Sequence, residues 1–236
     1  MTEPLRLLTP IALTESFDAL FALSEAPRVA LERVSRLNPD IARDIAEGVA
    51  WDLALTNPHH VEELRAAGHL DGADHWPLLR TPLAFAERAE GDGAASPPVR
   101  DRASIAECVT GWAAAGLRIG FTETGTSGDM LRKLLTDLDA RVPPEHLIGL
   151  PGGGPMRALL AGEVDIACLP LSNIAPVPQA RTLAICPDEL GVHVEIDLLA
   201  HPDAGPEAQA IAAYLLKHSP TEAWRNLGSQ RVSVAP

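Results

Sequence analysis

The sequence predicts an α/β protein built around a parallel sheet. Three observations predict it. Short apolar runs alternate with stretches of helical spacing, the order that a parallel sheet with crossover helices requires. Thr, Ser, Asn, Gly and Pro punctuate the junctions between them. Hydrophobic residues make up 46% of the 236 residues while aromatics make up only 4%. The core must therefore be built from Ala, Leu, Val and Ile, the residues that pack a sheet under helices.

The elements follow in order. Leu5 to Ala12 reads as a buried strand running into a loop, and Thr14 as the N-cap of a helix carrying Phe17, Leu20 and Phe21 on one face. Val29 to Val34 alternates apolar and charged residues, as a half-exposed strand does. Asn38-Pro39-Asp40 opens a helix over Ile41 to Glu47 that Gly48 ends. Trp51 to Leu55 is a second buried strand, and His59 to Ala67 a helix ended by Gly68. Thr81 to Ala89 is an extended segment leaving this unit, and Gly91 to Val99 an exposed loop. Ser104 caps a helix to Ala115, Leu117 to Thr122 is a strand, and Asp129 to Ala140 an amphipathic helix. Ile148 and Leu150 mark a short strand before a helix over Met156 to Ala161. Val164 to Leu169, Arg181 to Cys186 and Val192 to Ala200 are strands. Helices over Pro206 to Lys217 and Thr221 to Leu227 close the chain. No repeat of solenoid period occurs.

Composition excludes several function classes. A net charge of -13 opposes nucleic acid and anionic membrane surfaces, and no basic stripe overrides it. No stretch of about 20 apolar residues predicts a membrane span. Cys108, Cys168 and Cys186 lie far apart, without the Cys/His spacing of a zinc site, so neither a metal nor a cofactor is expected. An odd number of cysteines fits a reducing compartment. The N-terminus shows no basic segment followed by a long apolar one, so a cytoplasmic location is expected, or a periplasmic one if a leader has been removed.

Four strand-to-helix loops carry the chemistry: Thr9 to Thr14, Thr56 to Pro58, Thr122 to Gly128, and Pro151 to Pro155. In a parallel α/β sheet such loops gather at the carboxyl ends of the strands, where ligands bind. Each following helix offers unpaired N–H groups and the positive end of its dipole, which suits an anion without any basic side chain. Thr122 to Gly128 is the strongest signal, with three threonines, Ser127 and two glycines; Ser127 is the expected N-cap or ligand donor. It is not a P-loop, because no Gly-Lys-Ser/Thr closes it. His59 and Glu123 are the candidate catalytic groups, His59 as a base or ligand donor at a helix start. A surface pair of histidines at a helix start is the simpler account of His59 and His60. Asp165 also sits near a strand end. His193, His201, Trp76 and Trp112 read as structural residues.

One piece of the chain, Arg157-Ala-Leu-Leu-Ala-Gly-Glu-Val-Asp165, has a particular look. Together with Leu13-Thr14, Ile41 to Gly48 before Trp51 to Thr56, and Gly125-Thr126-Ser127-Gly128 before a helix, it resembles the molybdate-binding proteins of the type 2 periplasmic binding fold. The resemblance spans roughly residues 5 to 175. It implies two lobes with a ligand cleft between them: residues 1–82 plus about 200–236 as one lobe, 83–199 as the other with the crossover strands. The loops differ from that family's usual residues. Ala12 stands where a serine is common, Leu37-Asn38-Pro39 replaces a serine cluster, and Pro170 stands for a tyrosine; Ser127 is kept, and Met156 falls where a backbone N–H is usually offered. The scaffold is thus expected to persist with a changed ligand.

The resulting expectation is a solute-binding-type protein holding a small anionic molecule, an oxyanion or a carboxylate. The ligand-facing residues are Thr9, Ala12, Thr14, Asn38, Thr56, Asn57, Thr124, Thr126, Ser127, Gly154, Met156 and Pro170. An ABC transporter is a partner only if the chain is exported. The alternative is a cytoplasmic enzyme on the same scaffold, such as an isomerase of small carboxylic acids similar to aconitate isomerase. A cytoplasmic ligand sensor is the third reading.

Overall fold

The first apolar run forms β1 (Leu5–Pro10), which continues through a turn of 3-10 helix, Ile11–Leu13, into α1 (Thr14–Phe21). β2 (Leu31–Arg36), α2 (Asn38–Ala46), β3 (Leu53–Thr56) and α3 (Pro58–Ala66) repeat the alternation. β1 lies between β2 and β3 and runs parallel to both, with Leu5 opposite Leu31 and Leu7 opposite Leu53. Pro39 and Pro58 stand in the first turns of α2 and α3, where a missing N–H leaves no helical bond unmade. The computed structural model describes residues 4–89 and 97–218, together with Arg225 and Gln230. Most of the expected loop at Gly91 to Val99 and most of the expected helix at Thr221 to Leu227 lie outside these residues.

β4 (Asp74–Arg88) is a single long strand. α4 (Arg102–Ala114), β5 (Ile119–Thr122), α5 (Thr126–Asp137), β6 (Leu147–Leu150), α6 (Gly154–Ala161), β7 (Ile166–Pro170) and the one-turn α7 (Leu171–Ile174) follow. β8 (Ala180–Ile185), β9 (His193–Ala200) and α8 (Pro206–His218) complete the described chain. The chain divides into two units: residues up to Arg80 together with those from Glu195 on, and Thr81–Val194. β4 and β9 are the strands in which the chain passes from one unit to the other.

In the first unit β9 adds antiparallel to β3, with Thr56 opposite Asp197. One face of this sheet is closed by α2 and α3: Leu8, Ala54 and Leu199 pack on Ile41, Ile45, Val61 and Leu64. Phe17 and Leu20 of α1 are also buried, and the Tyr214 hydroxyl of α8 donates to the Leu20 carbonyl at 2.8 Å. In the second unit β5 is parallel to β6 and β7, while β7 and β8 both run antiparallel to β4. Strand periodicity divides its core in two. Phe85, Ile119, Phe121, Ile166 and Cys168 face Ile105 and Val109 of α4 and Leu131 and Leu134 of α5. Ala84, Ala86, Ala167 and Leu169 face Ala158 and Leu159 of α6. The Ala-rich, aromatic-poor composition is used here: small strand residues let α6 approach closely.

Two expected caps are corrected. Asp101, not Ser104, caps α4; its side chain accepts the Ser104 backbone N–H at 2.9 Å. Thr14 is the first residue of α1 rather than its cap, and its hydroxyl donates back to the Ile11 carbonyl at 3.0 Å. Both positions show the same ambiguity: a hydroxyl inside the first turn reads in sequence like one before it.

Candidate functional site

In the first unit, polar side chains gather at the carboxyl ends of the parallel strands. Thr9 near the end of β1, Thr56 at the end of β3, Asn57 before α3 and Asn38 at the start of α2 are all buried. The Thr56 hydroxyl donates to the Asn38 carbonyl at 3.4 Å, and the Asn57 amide to the Glu195 carbonyl of the chain leading through β9 at 2.6 Å. The Thr9 hydroxyl and the Asn38 side-chain oxygen, both sealed from solvent, have no hydrogen-bond partner among the described residues. A buried polar atom left unpaired costs about 1–3 kcal/mol, so each needs a physical reason. α2 and α3 begin at this edge, and their first N–H groups and dipoles favour negative charge there.

The same edge holds a pair that no sequence pattern named. The His75 Nε2 of β4 lies 2.6 Å from the Asp197 Oδ2 of β9. Asp197 is only 3% exposed. Burial pushes its carboxyl above the ordinary Asp value, against the opposing hydrogen bond and charge of His75. The one signal available was a charged residue inside the apolar run from Val192 to Ala200. Its partner is 122 residues away and invisible to local reading.

In the second unit the equivalent edge is formed by Thr122 and the loop to α5, the loop from β6 to α6, and the chain after β7. Backbone geometry fixes the first of these. The Glu123 N–H donates to the Leu150 carbonyl at 2.8 Å, and Arg132 Nη2 donates to the Glu123 carbonyl at 2.8 Å while its guanidinium lies over Phe121. Gly125, at φ +116°, is the N-cap of α5. This corrects the expectation for Ser127, which lies half-buried inside the first turn, with Thr126 beginning the helix. Beyond β7, the Ser172 N–H donates to the Thr81 hydroxyl at 3.2 Å. The Ser172 hydroxyl is buried without a partner among the described residues. Thr81 and Ser172 were not among the expected site residues.

The remaining expected residues fall as follows. Ala12 is half-buried in the 3-10 turn after β1. Thr124 is exposed in the turn before α5. Gly154 is the buried first residue of α6, its N–H already given to Pro151 at 2.8 Å, and Met156 is half-buried two residues on. Pro170 is buried as the last residue of β7. His59 is exposed on α3 with its ring 3.9 Å from that of His60, which reaches Glu63 at 3.2 Å. Glu123 is exposed, with its side chain over Gly149. Asp165 lies at the opposite end of β7 from the loops and is taken up by Arg118, whose Nε and Nη2 each donate at 3.0 Å. Trp112 packs on Phe85 and His201 edge-on against Trp51, as structural residues. Among the described residues no group of His, Cys, Asp and Glu is arranged to hold a metal ion, and no helix is long and apolar enough to cross a membrane.

A mixed α/β chain of two units, with two strands passing between them and polar loops at the carboxyl ends of the parallel strands, has the architecture of type 2 periplasmic binding proteins. Solved structures agree. The periplasmic molybdate-binding protein of Azotobacter vinelandii is similar with a TM-score of 0.68 at 15% identity, covering 97% of this chain and 99% of that one. Peb3 from Campylobacter jejuni is similar with a TM-score of 0.65 at 15% identity, covering 97% and 100%. The regulatory domain of Synechocystis PCC6803 CcmR, in complex with 2-PG, is similar with a TM-score of 0.64 at 14% identity, covering 93% and 98%. No protein-family model matches the chain, and no curated protein matches it in sequence. Identities this low establish the fold, which is the one the sequence predicts.

Proposed function

We propose that this chain binds a small anionic molecule, an inorganic oxyanion or a small carboxylate, through the loops at the carboxyl ends of its parallel strands. The observation that carries the reading is the set of buried, unpartnered side-chain oxygens at those ends: Thr9 and Asn38 in the first unit, Ser172 in the second. A ligand that accepts from the two hydroxyls and donates to, or is bridged by water to, the Asn38 oxygen removes their desolvation cost. Of the buried polar residues at this edge Thr9, Asn38, Thr56 and Asn57 are neutral and the one carboxylate, Asp197, is taken up by His75, so an anion is balanced there by helix N-termini rather than by a buried lysine or arginine. Two fold neighbours support the ligand class through their own names, one a molybdate binder and one in complex with 2-PG. Neither shares enough sequence to transfer its ligand.

The test is a thermal-shift series with molybdate, tungstate, sulfate, phosphate and small di- and tricarboxylates, run on the natural chain and on Thr9→Val and Ser172→Ala. One of these anions is expected to raise Tm, since a ligand of the folded state stabilises it. Both variants should lose about tenfold in affinity, one charge-assisted hydrogen bond each, while their ligand-free Tm is unchanged or higher. Absence of any shift across the panel, or equal shifts in the variants, would refute the reading. Incubation of the chain with the stabilising compound, followed by NMR, separates binding from turnover.

A further inference from the structure

The sheet of the first unit ends on one side at β2, and among the described residues no strand pairs with its outer edge. Parallel pairing with β1 fixes which backbone groups face outward. The Ala30 carbonyl accepts the Leu5 N–H at 2.8 Å, so Ala30, Glu32, Val34 and Arg36 turn their backbone groups to β1, while Leu31, Arg33 and Ser35 turn theirs away from it. Leu37 is still extended, at φ -74° and ψ 153°, so the alternation runs on to the start of α2. Side chains alternate with it. Val34 packs on the side of α2 and α3. On the other side Pro27, Val29, Leu31 and Arg33 line a groove of about 280 Å³ with Phe21 of α1 and Ile211 of α8. The groove is open: Phe21, Pro27, Val29 and Leu31 are all part-exposed, beside an unpaired backbone edge.

An edge of this kind accepts another strand, and its charges decide which. The stretch from Pro27 to Leu37 holds Arg28, Arg33 and Arg36 against the single carboxylate of Glu32, in a chain of net charge -13, so a second acidic copy can approach here. Antiparallel pairing of β2 with β2 of that copy must bring outward-facing residues to outward-facing residues, so the two-fold axis passes through a residue. With the axis at Arg33, that guanidinium meets its own copy. With it at Glu32, two carboxylates meet. With it at Ser35, Arg36 faces Val34 and gains nothing. With it at Val34, Glu32 of each copy lies opposite Arg36 of the other, Val34 meets Val34, Arg33 meets Ser35, and Leu37 meets Leu31 at the groove. Glu32 and Arg36 are loosely held within the chain. Each is 51% exposed, and their contacts to Arg6 at 3.7 Å and Asp44 at 3.6 Å exceed hydrogen-bond length. Arg36 Nη1 donates to the Ser35 carbonyl at 3.2 Å, a bond that the Arg33 N–H of the second copy replaces. Arg33 keeps its own partner, Asp18.

We propose that two copies of this chain associate by antiparallel pairing of β2 with β2 about a two-fold axis at Val34, which joins their first-unit sheets and sets Glu32 of each against Arg36 of the other. One short strand makes a small interface, so the dimer has a Kd on the order of 10–100 µM. The proposal is independent of the loop site, whose ligand it does not need.

Sedimentation velocity on the full chain, from about 5 to 500 µM, should show a monomer–dimer equilibrium. Glu32→Arg and Arg36→Glu should each weaken the dimer by at least about tenfold, because each sets like charges opposite at both ends of the pairing. The double variant Glu32→Arg/Arg36→Glu restores opposite charges and should return to within about threefold of the natural chain. An equimolar mixture of the two single variants should associate more tightly than either alone, since one then supplies both bases and the other both acids. Ser35→Pro removes an outward N–H, which a free edge tolerates, and should abolish association. Glu32 and Arg36 are exposed and Ser35 part-exposed, so each variant should keep the circular dichroism and Tm of the natural chain. A chain that stays monomeric across the range overturns the proposal. So does a dimer indifferent to the single charge reversals, a double variant that does not recover, or a dimer that Ser35→Pro leaves intact.

Discussion

Gly128 gives the sharpest test of how the second unit builds its loop edge. The glycine sits in the first turn of α5, directly against the end of β5. A Cβ placed there would lie 2.0 Å from the Thr122 carbonyl oxygen and 3.2 Å from its carbon. Ordinary contact begins near 3.4 Å, and the obstacle is backbone rather than a movable side chain. Gly128→Ala must therefore push α5 off the strand by more than an ångström. Overpacking of a tight contact costs about 1–3 kcal/mol, and a backbone obstacle places this variant at about 3 kcal/mol. For a chain of this size that lowers Tm by roughly 6–12 °C. Two neighbours calibrate the effect. Gly125→Ala meets nothing within 4 Å but must hold φ near +116°, which costs on the order of 2 kcal/mol. Gly149→Ala meets the Glu123 side chain, whose Cβ and Cγ at 3.1 Å must give by a few tenths of an ångström, so its cost is smaller, about 1 kcal/mol. Urea unfolding followed by circular dichroism, with m-values compared, reads all three. If Gly128→Ala lies within about 1 kcal/mol of the natural chain, or is no worse than Gly149→Ala, then α5 does not seat on β5 as described.

Two aspartates should give pH dependences of opposite sign. Burial raises the Asp197 carboxyl above 3.8, so the folded chain holds this proton more tightly than the unfolded chain. Its charged form opposes folding at neutral pH, and stability is recovered as pH falls through the raised value towards 3.8. Hydrogen bonds from Arg118 lower the Asp165 carboxyl below 3.8, so its contribution is present above that value and is lost as pH falls through the lowered one. Urea-derived stabilities of Asp197→Asn and Asp165→Asn, each subtracted from the natural chain between about pH 3 and 7, should therefore slope in opposite directions; a flat Asp197 difference would show it solvated, and a like slope that His75 outweighs its burial. The cysteines make the other prediction. Burial drives the Cys186 thiol up to about 12 and Cys168 well above the ordinary value, while Cys108 is part-exposed and only moderately raised. Iodoacetamide at about pH 8 should label the folded chain slowly and at Cys108 alone, and all three thiols in denaturant. Labelling of Cys168 or Cys186 faster than unfolding would contradict their burial.

Most of the fold was legible because each element carries its own punctuation. Pro39 and Pro58 open helices, Gly48 and Gly68 end them, and the apolar runs between are short enough only for strands. β4 was legible only in part. It runs from Asp74 to Arg88, but Pro77 and Pro82 interrupt its pattern, and the sequence gives an extended segment only from Thr81. A strand passing from one unit to another is held by different partners along its length and tolerates such interruptions. In the site, the loop residues were legible as a class, since Thr9, Asn38, Thr56 and Asn57 all stand at strand-to-helix junctions. Their partners were not. The Asn57 amide is satisfied by a carbonyl 138 residues away and Asp197 by a histidine 122 residues away. Local composition cannot encode such contacts. Ser172 escaped because α7 is a single turn, too short to announce itself by periodicity.

The unpartnered oxygens of Thr9, Asn38 and Ser172 bear on whether the strand ends are purely structural or also functional. As structure they are a liability. At about 1–3 kcal/mol each they together cost a sizeable part of the 5–15 kcal/mol by which domains are stable. Val at the first position, Leu at the second and Ala at the third would pack in nearly the same space and leave nothing unpaired. Nor does the turning chain need them. The Thr14 hydroxyl and the Asp101 carboxylate do bond to backbone beside their own helix starts, whereas these three groups bond to nothing among the described residues. Polar groups that neither cap a helix nor pair within the fold, yet are shut away from bulk water, are satisfied by a bound water or by a ligand. On the proposed function that partner is the ligand, because all three oxygens stand at the carboxyl ends of parallel strands, where this scaffold binds, whereas the unpartnered buried nitrogens of Arg6 and His146 do not.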